Sequence, residues 1–312
     1  MATIGSDNPT IADWVKFIDP KGAPARVVEK LAQENPLVEI MTAKEGNLPT
    51  GHRVSARNAL PSLGWREING GVAPSKSRRE TIDESCGILQ GYSQVDEDRG
   101  FMQAMANEVE TGFAYFSTSV TPSKFHGLIP RLDALSDAQV VAGDPSPSGA
   151  DQASILLCVF APDTVYSVFP NGSSAGITHE DRGLQTIDDG SGGKYDAWVT
   201  KWKWKIGLVV ENKNYIARAC NIDVSQLKAD ASSGTDLLDL LTVLHDTVKS
   251  TRVGRPAYFM PKSVKTMVQR QAQKKQSNLL DWIDRGGQQV ATWLGIPMYV
   301  SDGMTTSEAI VS

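Results

Sequence analysis

The segment Trp198 to Ile206 constrains the fold more than any other. Trp198, Trp202, Trp204 and Ile206 fall on even positions, and Lys201, Lys203 and Lys205 fall between them. A helix would scatter the two groups around its circumference, whereas a strand sends them to opposite faces. The period of two therefore predicts a strand with tryptophans against the core and lysines toward solvent. Aromatic and basic residues together also suggest a nucleic-acid platform. Stacking and charge would then have to share a face, and here they alternate.

More strands are expected around this one. Ile155–Phe160 and Thr164–Phe169 are short apolar runs flanking Ala161-Pro162-Asp163. Gly207–Glu211 and Tyr215–Cys220 extend the sheet across a turn at Asn212–Asn214. Between them, Asn171 to Gly193 is polar and glycine-rich and reads as an exposed loop. Before the sheet, Phe101, Met105, Val109, Phe113 and Phe116 recur at spacings of four and three, which predicts a helix over Glu97–Phe116 starting from Ser93-x-x-Asp96. Four prolines between Thr118 and Gly149 make that stretch irregular.

The last third changes period. Thr235 is placed to cap a helix striped by Leu237, Leu241, Leu244 and Val248, with acids at its start and Lys249 and Arg252 near its end. The strand Pro256–Met260 leads to Pro261 at the first position of a helix through Val264, Met267, Val268 and Gln271. With the strand Ile296–Val300 this predicts a compact α/β unit, and an α+β chain overall.

One segment cannot bury itself. From Lys44 to Arg79 ten of 36 residues are hydrophobic, about 28% against 40% for the 312-residue chain. Pro49, Pro61, Pro74 and the turn Asn69-Gly70-Gly71 favour two extended limbs joined by a turn. Leu60, Leu63, Trp65 and Ile68 are its apolar anchors. Upstream, Ala12–Leu31 carries two apolar groupings around Asp19-Pro20-Lys21-Gly22, read as two short helices in an arm.

Composition narrows the function. A net charge of −5 lacks the basic surplus of a tight DNA binder. No run approaches the ~18 apolar residues that span a bilayer, and Met1–Thr10 has no signal-peptide pattern, so the chain is expected to be neither embedded nor secreted. Cys86, Cys158 and Cys220, 72 and 62 residues apart, suit neither a disulfide framework nor a zinc knuckle and read as reduced packing residues.

Chemical motifs are sparse. Gly172-Ser173-Ser174-Ala175-Gly176 fits the G-x-S-x-G pattern with Ser174 as nucleophile, but the helix that must follow has no periodicity behind it. His179-Glu180-Asp181 lacks the second histidine of a metal motif, since Gly183 stands there. Gly192-Gly193-Lys194 lacks the first glycine and the hydroxyl residue of a phosphate loop. The sequon Asn171-Gly172-Ser173 carries no weight without a secretory signal. Of four histidines none has a second ligand at useful spacing, so neither catalytic, cofactor-binding nor metal residues are expected.

An apolar-poor hairpin, a long helix after it and a C-terminal α/β unit together resemble the major capsid proteins of tailed bacteriophages. The strings Glu45–Arg53 (EGNLPTGHR), Pro74–Ser77, Gly176–Gly183 (GITHEDRG), Gly193–Tyr195, Gly207–Val210 and Asn221–Asp223 look like the runs of one such family. The resemblance implies the Hong Kong phage-type fold shared with encapsulins: an N-terminal arm over 1–41, an E-loop over 42–85, a P-domain over 86–224 and an A-domain over 225–312. The P-domain would hold the spine helix 97–116, the exposed loop 170–194 and long strands 195–220. The strand-rich part precedes the last helices, which reads as a permuted connectivity. The implied function is a coat subunit, without catalysis or cofactor, assembling as pentamers and hexamers around double-stranded DNA in the virion. Scaffolding, portal and decoration proteins are the implied partners, with assembly in the host cytoplasm and no membrane. Leu60, Leu63, Trp65 and Ile68 would be buried on a neighbouring subunit. The rivals are a cargo shell of encapsulin type and a serine hydrolase using Ser174 with His179 or His245.

Overall fold

The computed structural model describes residues 33–59, 76–94, 98–188, 194–230, 234–277, 279–285 and 288–312. A short helix α1 (Pro36–Ile40) and strand β1 (Ala43–Glu45) lead into the hairpin β2 (Gly51–Ala59) and β3 (Arg78–Ser85), then β4 (Gly87–Gln94) and the long helix α2 (Asp98–Tyr115). After an irregular stretch come β5 (Val140–Ala142), β6 (Gln152–Phe160), β7 (Val165–Phe169), β8 (Ile177–Asp188), β9 (Lys194–Val210) and β10 (Ile216–Asp223). The C-terminal part runs α3 (Leu237–Thr247), β11 (Arg255–Met260), α4 (Lys262–Lys275), β12 (Leu280–Arg285), β13 (Gln288–Trp293) and β14 (Ile296–Val300).

One mixed sheet carries the molecule. Its path is β12-β13-β14-β11-β6-β7-β9-β4, with β10 joining β6 to β5, β1 on β7 and β8 on β9. Strand β6 lies at the centre, and every residue of it is buried. Its continuous apolar run follows from burial on both faces. Leu156, Cys158 and Phe160 enter the core beneath α2. Ile155, Leu157 and Val159 enter a second core beneath α3 and α4. Strand β10 divides the same way until Asn221, whose positive φ of 56° takes up an irregularity in the pairing with β6. The Asn221 side-chain amide then donates to the carbonyl of Val311 at 2.8 Å and accepts from its amide at 2.9 Å, strapping the C-terminal segment to the sheet.

A buried polar cluster locks α2 to this centre. Arg218 forms an ion pair with Glu308 at 2.8 Å and donates to Ser154 and to the Leu132 carbonyl. Glu308 also accepts from Tyr115 at 2.6 Å and from Ser154. All charges and hydroxyls there find partners, the condition under which a buried ion pair persists.

The expected stripe of α2 is present: Met105, Val109 and Phe113 are buried, with Phe101 and Phe116 packed at the margin. Its expected start is not. Ser93 belongs to β4, and its hydroxyl accepts from the Trp202 indole at 2.8 Å. The cap of α3 lies one residue later than expected, at Asp236, which accepts from the amides of Leu238 and Asp239. Thr235 is buried with an unpartnered hydroxyl. Pro261 caps α4 rather than occupying its first turn.

The expected loop over 171–193 is corrected most. Residues 177–188 form β8, a long strand that pairs antiparallel with β9. Its exposure hid it, because a strand with few buried side chains shows no apolar period. Trp202, Trp204 and Ile206 face the core as expected, but Trp198 is 61% exposed. It pairs with the equally exposed Leu184, beyond an irregularity between Asp181 and Leu184 that carries the hairpin off the body. The hairpin β12–β13 is a further pair of strands beyond those expected. Among the described residues no helix is long and apolar enough to cross a membrane.

Candidate functional site

Of the two extended limbs expected over 44–79, the first is present as β2, while its partner β3 lies later than expected, with only Arg78 and Arg79 inside those bounds; the two pair with each other, and the expected turn Asn69-Gly70-Gly71 lies outside the described residues. Burial fades outward along the hairpin: Glu84 is buried, Ile82 half-buried, and Glu80 exposed. Among the described residues Val54 is the apolar side chain of the hairpin that packs on the body, against Tyr166, Val168 and Val209. Across the limbs Arg53 forks onto Asp83 at 2.5 and 2.7 Å, and that hydrogen bond holds the Asp83 carboxyl below its usual range.

The root of the hairpin is built tightly. Arg131 chelates Glu84 with both guanidinium nitrogens, the second at 2.8 Å, and also donates to the carbonyls of Gly127 and His126. The string Glu45–Arg53 forms the turn that enters β2. Asn47 closes it by donating to the Arg53 carbonyl at 2.8 Å and accepting from its amide at 2.7 Å. Gly46 donates to the Phe169 carbonyl at 2.7 Å, and Glu45 accepts from the Gly172 amide at 3.0 Å. A β-carbon on Gly51 would meet the Glu84 carbonyl oxygen at 2.1 Å, so only glycine fits where the limbs cross. His52 accepts the Asn47 amide at its Nδ1, 3.2 Å away. Burial, reinforced by Lys44, holds its pKa below the usual value and keeps it neutral. The arrangement is a rigid base under a projecting ribbon.

Leu60, Leu63, Trp65 and Ile68, the expected contact residues, lie outside the described residues, as do the arm helices expected over 12–31. Other apolar surface is in view. On β4, Ile88 and Tyr92 are more than half exposed, directly across from Lys205 and Lys201. Trp198 and Leu184 form a second exposed couple, and Leu279 and Trp282 are each about half exposed at and beside β12. Exposed aromatics of this size are what inter-chain contacts use. Glu84, Arg131, Asn47 and the exposed couples carried no sequence signal of their own beyond the family string at 45–53.

The hydrolase constellation does not assemble. Ser174 is exposed in a loop that leads into strand β8, where a nucleophile elbow requires a helix. Thr178 lies on the Ser174 side of the sheet. His179, one residue on, points to the other side and stacks on Trp202 with ring centroids 5.5 Å apart. His245 sits on α3 beside Asp246. Lys194 opens strand β9, so the Gly192-Gly193-Lys194 string has no helix behind it either. All three cysteines are free, and burial pushes the Cys86 thiol up to about 11. Among the described residues no cluster of histidine, cysteine or acidic side chains is able to hold a metal ion.

Comparison with solved structures finds one that follows the same course of chain and others with less overlap. A chain of bacteriophage epsilon15 aligns over 100% of both chains with a TM-score of 0.75 and 26% identity. The capsid of bacteriophage JBD30 aligns over 88% of this chain and 93% of its own, with a TM-score of 0.49 and 9% identity. The SrpI encapsulin of Synechococcus elongatus aligns over 70% and 97%, with a TM-score of 0.43 and 11% identity. No curated protein matches. A family model described as major capsid protein GP7 matches residues 19–312, which takes in the hairpin, its root, both cores and the C-terminal strap. The chain belongs to the major capsid protein GP7 family.

Proposed function

We propose that the chain is the coat subunit of a tailed-phage head, assembling as pentamers and hexamers into an icosahedral shell around double-stranded DNA, without catalysis. The observation that carries this reading is the β2–β3 ribbon. Among the described residues it leaves a tightly built root, forms no sheet with its own body and buries little of itself. A two-stranded ribbon is marginal alone in water, so it needs a surface to lie on. A neighbouring subunit supplies one, with Leu60, Leu63, Trp65 and Ile68 as its anchors. On this reading residues 1–41 are the arm, 42–85 the E-loop, 86–224 the P-domain and 225–312 the A-domain, in permuted order relative to the commoner form. Portal, scaffolding and decoration proteins complete the head, which assembles in the host cytoplasm. The net charge of −5 fits a lining that encloses DNA without gripping its sequence.

Trp65→Ala tests the contact. Aromatic anchors each contribute about 2 kcal/mol or more to an interface. The variant is expected to keep the circular dichroism of the folded subunit while particles disappear from the sedimentation profile. Unfolding of the free subunit, or particles of unchanged stability, would refute the Trp65 anchor.

A further inference from the structure

The loop that fails as a nucleophile elbow borders a concavity of about 280 Å³, lined by Gly172, Ser173, Ser174, Gly176, Thr178, Lys203 and Lys205. Lys203 and Lys205 project from β9 on the solvent side of the sheet, two residues and so about 7 Å apart along the strand. Both are half-buried, and among the described residues neither ammonium has a carboxylate partner. Strand β8 begins at Ile177, opposite Trp204, so no side chain of that strand stands across from Lys205. Gly172 and Gly176, at φ of 76° and 83°, border the hollow, and a β-carbon on either would meet nothing within 4 Å.

The other polar groups are committed. Thr178 donates to the Lys203 carbonyl, Ser173 donates to the Pro170 carbonyl, and the Glu45 carboxylate is taken up by the Gly172 amide, from which it accepts at 3.0 Å. What remains for a ligand is two ammonium groups and the Ser174 hydroxyl. Two point charges without a guanidinium fork suit a tetrahedral dianion better than a planar carboxylate.

We propose that the Lys203–Lys205 hollow beside Ser174 is a binding site for a phosphate group, a property beyond the coat-protein role and independent of assembly. Lys203 and Lys205 receive the charge, and Ser174 donates to a phosphate oxygen. The phosphate comes from free orthophosphate or from a polynucleotide backbone.

The test titrates orthophosphate, and separately a short DNA duplex, into the full-length unassembled chain at low ionic strength. Lys203→Gln and Lys205→Gln are each expected to weaken orthophosphate binding about tenfold. Lys201→Gln, in the same row but outside the hollow, is expected to leave it unchanged. All three side chains stand on the solvent face, and matched unfolding midpoints will show that the fold is kept. If the duplex displaces orthophosphate and is itself weakened by Lys203→Gln, the source is a backbone phosphate. If only orthophosphate binds, the source is the free anion. No orthophosphate binding, or equal weakening by Lys201→Gln, overturns the site.

Discussion

Glu110 stands wholly buried on α2, and among the described residues no cation acts on it. Its carboxylate accepts from the amides of Leu37 and Val38 at 3.3 and 3.1 Å and from the Ser301 hydroxyl at 2.6 Å. It thereby ties α1 and the C-terminal segment to α2. Burial outweighs these donors and raises its pKa from 4.5 to about 7. A raised pKa means that the folded state holds a proton which the unfolded state has released. The stability this adds is therefore complete below pH 4.5 and is lost as pH rises toward about 7. The loss amounts to about 3 kcal/mol. Thermal unfolding midpoints of the free subunit should fall across that window and flatten in Glu110→Gln; an equal fall in the variant would assign the titration elsewhere. A second residue-scale test concerns Arg131. Removing it leaves Glu84 buried and unpaired, so Arg131→Ala should cost about 3–5 kcal/mol. Hydrogen exchange should show β3 opening first, and uniform loss of protection would mean that the pair does not root the hairpin.

Among the elements, β9 shows how a period can be right while burial is misjudged. Trp198 and Trp202 occupy the same face, and only Trp202 has α2 and β4 beneath it. Trp202→Ala should cost about 3–5 kcal/mol, and Trp198→Ala and Lys203→Ala less than about 0.5. Chemical denaturation checks this; equal costs for Trp198 and Trp202 would place Trp198 in the core of the free subunit. Helix α2 and the stripe of α3 were legible because their apolar residues recur at the helical period, and strands β6, β11 and β14 because they are short apolar runs bounded by turn residues. Strand β8 was not, because outward from Ile177 its side chains meet solvent on both sides and leave no alternation to read. The short hairpin β12–β13 was missed for a similar reason, with Trp282 and Ile283 both exposed. The hairpin root was visible only as a family string. Its parts, Asn47, Gly51, Glu84 and Arg131, lie up to 84 positions apart, and their meeting depends on tertiary structure. The expected caps are not used: Ser93 belongs to β4 and Thr235 is buried, so the cap of α3 falls one residue later, on Asp236.

At the scale of the whole molecule, two cores on one sheet make a rigid body, and the ribbon and the exposed couples face outward. Assembly should protect the amides of β2 and β3 far more than those of β6, which are already buried. Hydrogen exchange on free subunits and on particles compares the two directly; equal protection of β2 and β3 in both forms would leave the ribbon without a neighbour. On the proposed reading the subunit closes a shell by laying its ribbon on the next copy. Electron cryo-microscopy of particles formed by the chain looks at that contact itself. A closed icosahedral shell of pentamers and hexamers is expected, in which density for residues 51–85 crosses onto an adjacent subunit with Trp65 buried at that contact. Density for the ribbon folded back on its own subunit, or a chain that forms no closed particle, would refute this assembly.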